Sequence, residues 1–485
     1  MAIDYERFQI PTEFADYTRR LIIYSEPEFM RANFDKLFGE LRKYGALEKT
    51  MDFPVGDLAV KVVYLSDERV TIAEVIADVR PRFAMFRFEG DARMGVTALA
   101  APNDRLYPSQ WALHQIEAEA AWSRVAQVPA RPPVTVAIVD SGIQRNHEDL
   151  VGASISALRI IPPSTGTFAD DTGHGTMIAG IIGAVANNAI GMAGEARNVD
   201  ILALKITDEG TPPTALAAVA GMLIAANSGA KIINASWHVL EDSGLLSHAI
   251  SVACQHCVVV VAAGNYGSNN TEIPTLPASY GFQNMVVTMA SDRHDDKCWF
   301  SNYGATVDLA APGMRVQSTG IYYINPRYPD HSGTSPAAAH VSAAAALLLA
   351  IDNWTPNEIR EHLNASADRP RSLQGICRSE GRLNLRRAVC GPFVITSPSG
   401  GPHAKGLPLN VTWTLEYTSP QVITVDISIY HPASGTLVAS LGSGISAAAL
   451  GHVANLPNLP RSNVVVRLKC LEKNLYTDSA LFDIA

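Results

Sequence analysis

Short apolar runs alternate with longer helical patterns between residues 103 and 390 of this chain. The runs are rich in β-branched residues and lack the polar alternation of half-exposed strands, so they predict strands that are buried on both faces. They lie at residues 134–139, 201–206, 231–235, 258–262 and 285–288. Such strands need helices on both sides of their sheet. The middle of the chain is therefore predicted to be an α/β domain, a doubly wound and mostly parallel sheet.

The residues before and after this region have different patterns. Residues 1–102 follow the order β-α-β-β-α-β, with strands expected at 21–24, 46–53, 58–65 and 83–88 and helices between them, which predicts an N-terminal α+β ferredoxin-like domain. In residues 391–485, apolar and polar side chains alternate strictly from Ile423 to Ile429, and Gly, Pro, Ser and Asn clusters separate such stretches. This pattern predicts a C-terminal all-β sandwich. We therefore expect three domains, at 1–102, 103–390 and 391–485.

Charge and hydropathy narrow the range of partners. The net charge is -9 and there is no basic stripe or Lys/Arg-rich arm, so we expect no nucleic acid partner. The first ten residues, MAIDYERFQI, lack the apolar core of a secretory signal, and we expect no membrane span anywhere in the chain. These features favour a cytoplasmic location, with export as the alternative.

The six cysteines do not form a disulfide framework for a chain of this length. Cys254-Gln-His-Cys257 has the spacing of half a zinc site or of a redox pair, but no second pair follows it. We expect these residues to be packed thiols.

Three short motifs supply a carboxylate, an imidazole and a hydroxyl. They are Asp140-Ser-Gly142, Gly173-His-Gly-Thr176 and Gly333-Thr-Ser335, in that order. A serine hydroxyl is a poor nucleophile until an imidazole takes its proton, and the imidazole needs a carboxylate to fix its tautomer and stabilise its charged form. The three motifs together indicate a serine hydrolase.

The order of these motifs and their flanking residues resemble the subtilisin-like serine peptidases, or subtilases. The resemblance implies that Ser335 is the nucleophile, His174 the general base and Asp140 the orienting acid. It also implies that the side-chain amide of Asn265, in Ala262-Ala-Gly-Asn265, stabilises the oxyanion together with the backbone amide of Ser335. The alternatives are a helix N-cap for Ser335 and a plain Asn-Tyr-Gly turn for Asn265.

The chain departs from the family pattern at two places near these residues. Ala339 precedes His340-Val341 where the family usually has Pro, while Pro336 directly follows Ser335. Proline is tolerated there because the first helical residues have no helical partner for their amides. Met177 stands where family members often carry a second histidine.

The same resemblance implies a substrate cleft. It is lined by Asn234, Ala235, Ser236 and Trp237 on one side and by Ala262, Ala263 and Gly264 on the other. The first segment would pair with an extended peptide and wall the primary specificity pocket, since backbone pairing leaves selectivity to side-chain pockets. For Trp237 the alternative is packing under a loop.

A structural calcium site is the one cofactor that the resemblance suggests. Asp149 and Asn188, the latter in Asn187-Asn-Ala-Ile-Gly-Met192, would supply oxygen ligands together with loop carbonyls. The alternative is a plain turn, and the usual N-terminal ligand is not identified in the sequence. No cofactor is needed for the chemistry.

The residues and the resemblance together predict a serine endopeptidase that acts on polypeptide substrates through an acyl-enzyme. Residues 1–102 resemble the family's propeptide, so this domain is expected to inhibit the enzyme until self-cleavage between Gly90 and Tyr107. The C-terminal sandwich resembles immunoglobulin-like accessory modules. Two alternatives stay open: a catalytically silent protein that binds through the sandwich, and a non-peptide acyl hydrolase.

Overall fold

The computed structural model describes residues 20–90 and 101–484, apart from residues 26, 45, 56–57, 68–71, 80–81, 84–85, 163–165, 212, 322–326, 399–400, 420–421, 423, 432–435, 457–460 and 480. The chain forms two compact units, one within residues 1–97 and the other within residues 98–485. The three domain boundaries expected from the sequence stay predictions.

The first unit contains a sheet with two helices. Its elements are β1 (Arg20–Ser25), α1 (Pro27–Leu41), β2 (Ala46–Val55), β3 (Leu58–Leu65), α2 (Ile72–Val79) and β4 (Arg87–Gly90). The strand order is β2-β3-β1-β4, and all neighbouring strands are antiparallel. Helix α1 buries Met30, Phe34, Leu37 and Leu41 on one face, because these residues recur at helical spacing. The predicted ferredoxin-like order is confirmed, although the last strand begins four residues later than predicted.

The second unit begins with the elements of the central region. They are α3 (Trp111–Gln115), α4 (Ala118–Val125), β5 (Val134–Asp140), β6 (Ser154–Arg159), α5 (His174–Gly183), β7 (Val199–Lys205), α6 (Ala215–Asn227), β8 (Ile232–Ala235), α7 (Gly244–Ala253), β9 (Val258–Ala262), β10 (Met285–Ser291), β11 (Leu309–Pro312), β12 (Val316–Gln317), β13 (Asp330–His331), α8 (Thr334–Ile351), α9 (Pro356–Ser366) and α10 (Leu385–Cys390).

Seven of these strands form one sheet, in the order β11-β10-β9-β8-β5-β7-β6. Every neighbouring pair is parallel. The predicted α/β fold with a parallel, doubly wound sheet is therefore confirmed. Strand β5 lies between β7 and β8, at the point where the strand order reverses. In open α/β sheets this is where a crevice forms beyond the carboxyl ends of the strands.

Helix α8 crosses the middle of the unit and is rich in alanine, so the neighbouring strands approach it closely. By length and composition alone it is long and apolar enough to cross a membrane. However, 89% of its residues are buried inside the protein. It is the core helix of this unit.

The rest of the chain is all-β, as predicted. Its strands are β14 (Phe393–Ser397), β15 (Gly401–His403), β16 (Pro408–Leu415), β17 (Thr424–His431), β18 (Thr436–Ser446), β19 (Gly451–Asn455), β20 (Arg461–Cys470), β21 (Tyr476–Asp478) and β22 (Phe482–Ile484). One sheet has the order β14-β16-β19, and the other the order β15-β22-β20-β17-β18 with β21 beside β20. Trp413 is buried, and its indole N–H donates to the carbonyl of Ala447 at 2.9 Å.

The β-sandwich packs against the carboxyl end of α8, the end opposite Ser335. The backbone N–H of Asn474 donates to Asp352 at 2.7 Å, and the Asn474 side chain donates to the carbonyl of Ile351 at 3.2 Å. The apolar core is continuous across this boundary, from Val389 to Leu475. The sandwich is therefore an integral part of the second unit.

The cysteines are packed thiols in this fold. Cys254 and Cys257 are both buried, and burial raises the pKa of the Cys254 thiol to about 12 and that of Cys257 to about 11. Within the part of the chain that the structure describes, no three His, Cys, Asp or Glu side chains form a group that could hold a metal ion.

Candidate active site

Asp140 and His174 are in direct contact beyond the carboxyl end of β5. Asp140 is the last residue of β5, and His174 is the first residue of α5. His174 Nδ1 lies 2.8 Å from Asp140 Oδ1 and 3.0 Å from Oδ2. The carboxylate therefore holds the tautomer in which Nδ1 carries the proton. The other nitrogen, Nε2, is left as the basic atom.

Glycines allow the two segments to approach each other. A Cβ added at Gly175 would lie 2.1 Å from the carbonyl oxygen of Gly142, which no side chain could tolerate. Gly142 itself has a φ of +108°, a conformation that L-residues rarely adopt. The glycines beside Asp140 and His174 are thus required to bring the acid and the base together.

The environment favours the protonated form of His174. Burial alone would lower the pKa of this imidazole, but the charge and the hydrogen bond of Asp140 outweigh it and raise the pKa above its ordinary value. The charge of Asp170 acts in the same direction. The site therefore stabilises the imidazolium that a general base becomes during the reaction.

Asp170 accepts several hydrogen bonds from the segments that carry Asp140 and His174. Its buried carboxylate accepts from the hydroxyl of Ser141 at 2.8 Å, from the backbone N–H of Gly173 at 2.9 Å and from the backbone N–H of Thr176 at 2.8 Å. Ser141 adjoins the acid, and the other two residues flank His174. Asp170 therefore fixes both segments to one carboxylate.

Lys205 contacts the segments that follow Asp140 and precede His174. Its side chain is 1% exposed, and Nζ donates to the carbonyl of Ser141 at 2.6 Å and to Asp171 at 2.9 Å. A buried ammonium group needs such partners because desolvation of a charge is costly. The residue after Asp140 is thus held by a second buried charge.

Ser335 is the second residue of α8 and is mostly buried. Its hydroxyl donates to the carbonyl of Ser236 at 3.4 Å. Among the described residues no hydrogen bond joins Ser335 to His174, and Nε2 of His174 has no partner. Catalytic hydrogen bonds are often long or poorly aligned until a substrate binds. The hydroxyl would have to turn away from Ser236 to give its proton to the imidazole.

Asn265 is held so that its amide nitrogen stays free. Its Oδ1 accepts from the backbone N–H of Thr334 at 2.9 Å and from the Thr334 hydroxyl at 3.0 Å. Within the described part of the chain Nδ2 donates to no protein group. A Cβ added at Gly333 would lie 3.6 Å from Asn265 Nδ2 and 3.7 Å from the nitrogen of Ser335. Both donors therefore border the space that this glycine leaves open.

The loop that carries Asn265 is fixed by Asn302, which is fully buried. Asn302 Oδ1 accepts from the backbone N–H groups of Tyr266 and Ser268 at 2.9 and 3.1 Å. Its Nδ2 donates to the carbonyl of Ala263 at 3.2 Å. One side chain thereby ties both ends of the loop together.

The first wall of the predicted cleft follows strand β8. The side chain of Asn234 is fully buried, donates to Ser236 Oγ at 2.9 Å and accepts from Ser342 at 3.0 Å, so it positions the segment from behind. Trp237 is half-buried, and its indole N–H donates to the carbonyl of Val139 at 2.9 Å. Its role as a wall of the cleft stays a prediction. Ala235 is the buried last residue of β8.

The second wall follows β9. Ala262 is the last residue of that strand, Ala263 is fully buried, and Gly264 has a φ of +110°. A Cβ at Gly264 would lie 2.5 Å from Nδ2 of Asn302, so only glycine fits there. The two walls belong to neighbouring parallel strands, because Ala235 pairs with Val261.

The predicted calcium residues meet beside the loop that contains Asn188. Asp149 is fully buried and accepts from Asn188 Nδ2 at 2.8 Å and from the backbone N–H of Met192 at 2.7 Å. Asp104 lies in the same place, where Oδ2 accepts from the backbone N–H of Asn187 at 2.8 Å. Its buried Oδ1 has no hydrogen-bond partner within the part of the chain that the structure describes. Burial raises the pKa of Asp149 to about 6, and the charge of Asp104 raises it too.

Sequence reasoning missed three residues that shape the site, namely Asp104, Asp170 and Asn302. Asp170 stands four residues before His174, where a carboxylate can accept the free amides of a helix start. That spacing is a signal that the sequence offered. The other two act on segments distant in sequence, and no local pattern marks them.

Comparison with known proteins agrees with this geometry. Residues 132–386, slightly more than half of the chain, match the family model described as the subtilase family. Thermitase from Thermoactinomyces vulgaris is 37% identical over 290 residues, which cover 59% of this chain and 99% of thermitase. Subtilisin Savinase from Lederbergia lenta is 34% identical over 259 residues, which cover 53% of this chain and 90% of that protein.

A solved structure extends the likeness to the fold. It is described as a protease from Pseudoalteromonas arctica PAMC 21717, and it superposes with a TM-score of 0.52 and 26% identity over 60% of this chain and 99% of that chain. The family match at residues 132–386 covers the seven-stranded sheet and the Asp140, His174 and Ser335 motifs. The chain belongs to the subtilase family and is a subtilisin-like serine peptidase.

Proposed function

We propose that this chain is an endopeptidase in which Ser335, His174 and Asp140 act as nucleophile, general base and orienting acid. The observation that carries the proposal is the 2.8 Å contact between His174 Nδ1 and Asp140, which leaves Nε2 basic and unpartnered among the described residues. The serine hydroxyl stands at the start of a helix, beside free backbone amides that favour negative charge.

The first step forms the acyl-enzyme. Ser335 Oγ bonds to the carbonyl carbon of the peptide while its proton passes to His174 Nε2, and the carbonyl π electrons move to the oxygen. Asn265 Nδ2 and the Ser335 backbone N–H then donate to that oxyanion. When the carbon–nitrogen bond breaks, His174 gives its proton to the leaving nitrogen.

The second step restores the enzyme. Water attacks the ester carbon and gives a proton to His174, and the same two donors stabilise the second oxyanion. The carbon–oxygen bond to Ser335 then breaks as the serine takes back the proton, and a carboxylic acid product leaves. Asp140 stays ionised throughout and stabilises the imidazolium by charge and hydrogen bond.

We further propose that the N-terminal unit inhibits the enzyme until self-cleavage between Gly90 and Tyr107. Two features support this: the β-α-β-β-α-β order of the unit, and its end near residue 97, inside that range. Residues 91–100 lie outside the described residues. Intact-mass measurement should show that the full-length chain persists in Ser335→Ala and is shortened in the unmodified protein.

We also propose that the loop beside Asp149 and Asn188 holds a structural calcium ion, as in many subtilases. The residues fit such an ion, because two buried carboxylates contact one loop and one oxygen of Asp104 has no hydrogen-bond partner among the described residues. Asp104 would supply the N-terminal ligand that the sequence did not identify. Calcium should raise the melting temperature of the full chain relative to a chelator, and Asp104→Asn should abolish the rise. The ion would stabilise the fold and would take no part in the chemistry.

Digestion of unfolded casein, measured beside hydrolysis of small acyl esters, tests the central proposal. We expect the full chain to cleave casein and Ser335→Ala to cleave neither substrate. Ester hydrolysis without casein cleavage would favour the non-peptide acyl hydrolase. Neither activity in the unmodified chain would favour a silent binding protein.

A further inference from the structure

A pair of exposed aromatic rings bridges the two walls of the cleft. The hydroxyl of Tyr266 and Nε2 of His238 are joined by a hydrogen bond of 2.6 Å. The two rings pack edge to face, with centroids 5.4 Å apart and planes at 86°. We refer to His238 and Tyr266 together as the His–Tyr clasp.

The clasp closes a circuit of contacts that begins at Ser335 and ends at the neighbouring residue Thr334. On one side, the carbonyl of Ser236 accepts from Ser335 Oγ at 3.4 Å, and His238 follows two residues later. On the other side, Asn265 accepts from the N–H of Thr334 at 2.9 Å, and Tyr266 is the next residue. The two segments leave neighbouring parallel strands, and the clasp joins them again farther out.

This circuit of contacts surrounds the space into which we expect a substrate side chain to enter. A peptide carbonyl that is attacked by Ser335 has its oxygen between Asn265 Nδ2 and the Ser335 amide. If the peptide pairs with the segment at Ser236, the substrate residue whose carbonyl is attacked directs its side chain between the two walls. The clasp joins the two walls one or two residues beyond Ser236 and Asn265, and this contact would limit the length of the side chain that fits between them.

The position of the clasp on the surface determines how selective it is. Tyr266 is 60% exposed, so its ring has open solvent to move into. A short side chain leaves the clasp intact. A bulky side chain has to break the hydrogen bond and separate the rings before it fits, and this cost is added to the transition state for the bulky substrate alone.

We propose that His238 and Tyr266 are specificity-determining residues that select small side chains at the residue whose carbonyl is attacked. The inference rests on the proposed endopeptidase function and adds its substrate class.

The test compares two fluorogenic peptides that differ only in Ala or Phe at the residue before the cleaved bond. We expect the unmodified full chain to prefer Ala in kcat/KM by roughly 10-fold or more. Tyr266→Ala should move that ratio toward Phe by roughly 10-fold, mainly by faster cleavage of the Phe peptide. Tyr266→Phe keeps both rings and removes only the hydrogen bond, so it should move the ratio in the same direction by a smaller factor. His238→Ala removes the smaller of the two rings and should also move the ratio by less than Tyr266→Ala does.

Leu240→Ala is the matched control, because Leu240 lies two residues beyond His238 and is 90% exposed. It should leave the ratio unchanged. A fluorophosphonate probe applied to every variant shows whether Ser335 is reactive. Equal ratios in the unmodified chain, Tyr266→Ala and His238→Ala, with all three labelled, would overturn the clasp and leave the endopeptidase proposal standing. An unlabelled unmodified chain would overturn the endopeptidase proposal itself.

Discussion

The carboxylate of Asp170 accepts a hydrogen bond from the hydroxyl of Ser141 at 2.8 Å. The same oxygen accepts from the backbone N–H of Gly173 at 2.9 Å. Ser141 follows Asp140 and Gly173 precedes His174, so one buried group sets the distance between the acid and the base. Its position explains how two segments 34 residues apart keep a contact of 2.8 Å.

Asp170→Asn should weaken both the fold and the site. The amide nitrogen would replace one of the two carboxylate oxygens. It would then face either the N–H and hydroxyl of Thr176 or the hydroxyl of Ser141 and the N–H of Gly173, all of which are donors. Opposed donors in a buried position should lower the free energy of unfolding by about 2–4 kcal/mol and should reduce kcat/KM. Urea denaturation and peptide hydrolysis measure the two effects. Glu241→Gln, an exposed change, should alter neither, and an unchanged Asp170→Asn would contradict this role of Asp170.

Asp140→Asn should slow catalysis and move its pH dependence. Loss of the acid that fixes the tautomer should lower kcat by roughly 10⁴-fold. Because the Asp140 carboxylate raises the pKa of His174, its removal should lower that pKa. The acid limb of the profile of kcat/KM against pH should therefore move to lower pH. Residual activity of Asp140→Asn with an unshifted limb would count against the pairing, and Glu209→Gln serves as the exposed control.

Asn265→Ala should remove a hydrogen bond that stabilises the transition state and should therefore lower kcat. The donor Nδ2 faces open space and binds no protein group among the described residues, so its loss should lower kcat by roughly 10²–10³-fold with little change in KM. Steady-state kinetics on one peptide measure both constants. The exposed amide change Gln255→Ala should leave kcat as it is. A rise in KM alone would mean that Asn265 binds substrate instead of the oxyanion.

His362 makes the fold sensitive to acid. The fully buried ring lies 3.0 Å from Ser419 Oγ and 2.9 Å from the carbonyl of Ala388, and burial lowers its pKa to about 4, although the bond to Ala388 opposes this. A histidine with a lowered folded pKa gives stability that is complete above its unfolded value of about 6.5 and is lost as pH falls from there towards 4. The loss should approach about 3 kcal/mol.

Denaturation at pH 7 and pH 4.5 measures this loss. His362→Gln should be less stable at pH 7 but should lose less stability on acidification than the unmodified chain. His248→Gln, on the surface, should follow the unmodified chain at both pH values. If His362→Gln loses as much unfolding free energy between pH 7 and pH 4.5 as the unmodified chain does, groups other than His362 cause the acid sensitivity.

The sheet could be predicted because burial on both faces leaves a continuous apolar signal. Strand β9 was predicted at its observed bounds, since its four valines and one alanine are all buried. Strand β6 was missed because it lies at the edge of the sheet and alternates between buried and exposed residues. An edge strand with polar residues resembles a loop in sequence.

The contact between Asp140 and His174 could be predicted because each residue lies in a short motif with its own glycines. The residues that support them could not, because their roles depend on contacts between distant segments. Asn302 and the His–Tyr clasp show this, since neither has a periodicity or a spacing that local sequence reveals. The indole N–H of Trp237 donates to the carbonyl of Val139, a contact between segments distant in sequence that no local pattern predicts, and its role in the cleft stays a prediction.

Covalent labelling with a fluorophosphonate, followed by peptide mapping, tests the central claim most directly. The reagent reacts with a serine only when a base removes its proton and donors stabilise the negative oxygen. The account predicts one adduct, on Ser335 of the unmodified chain, none in Ser335→Ala and greatly slowed labelling in Asp140→Asn. An unmodified chain that takes up no label, or a Ser335→Ala variant that takes up as much, would contradict it.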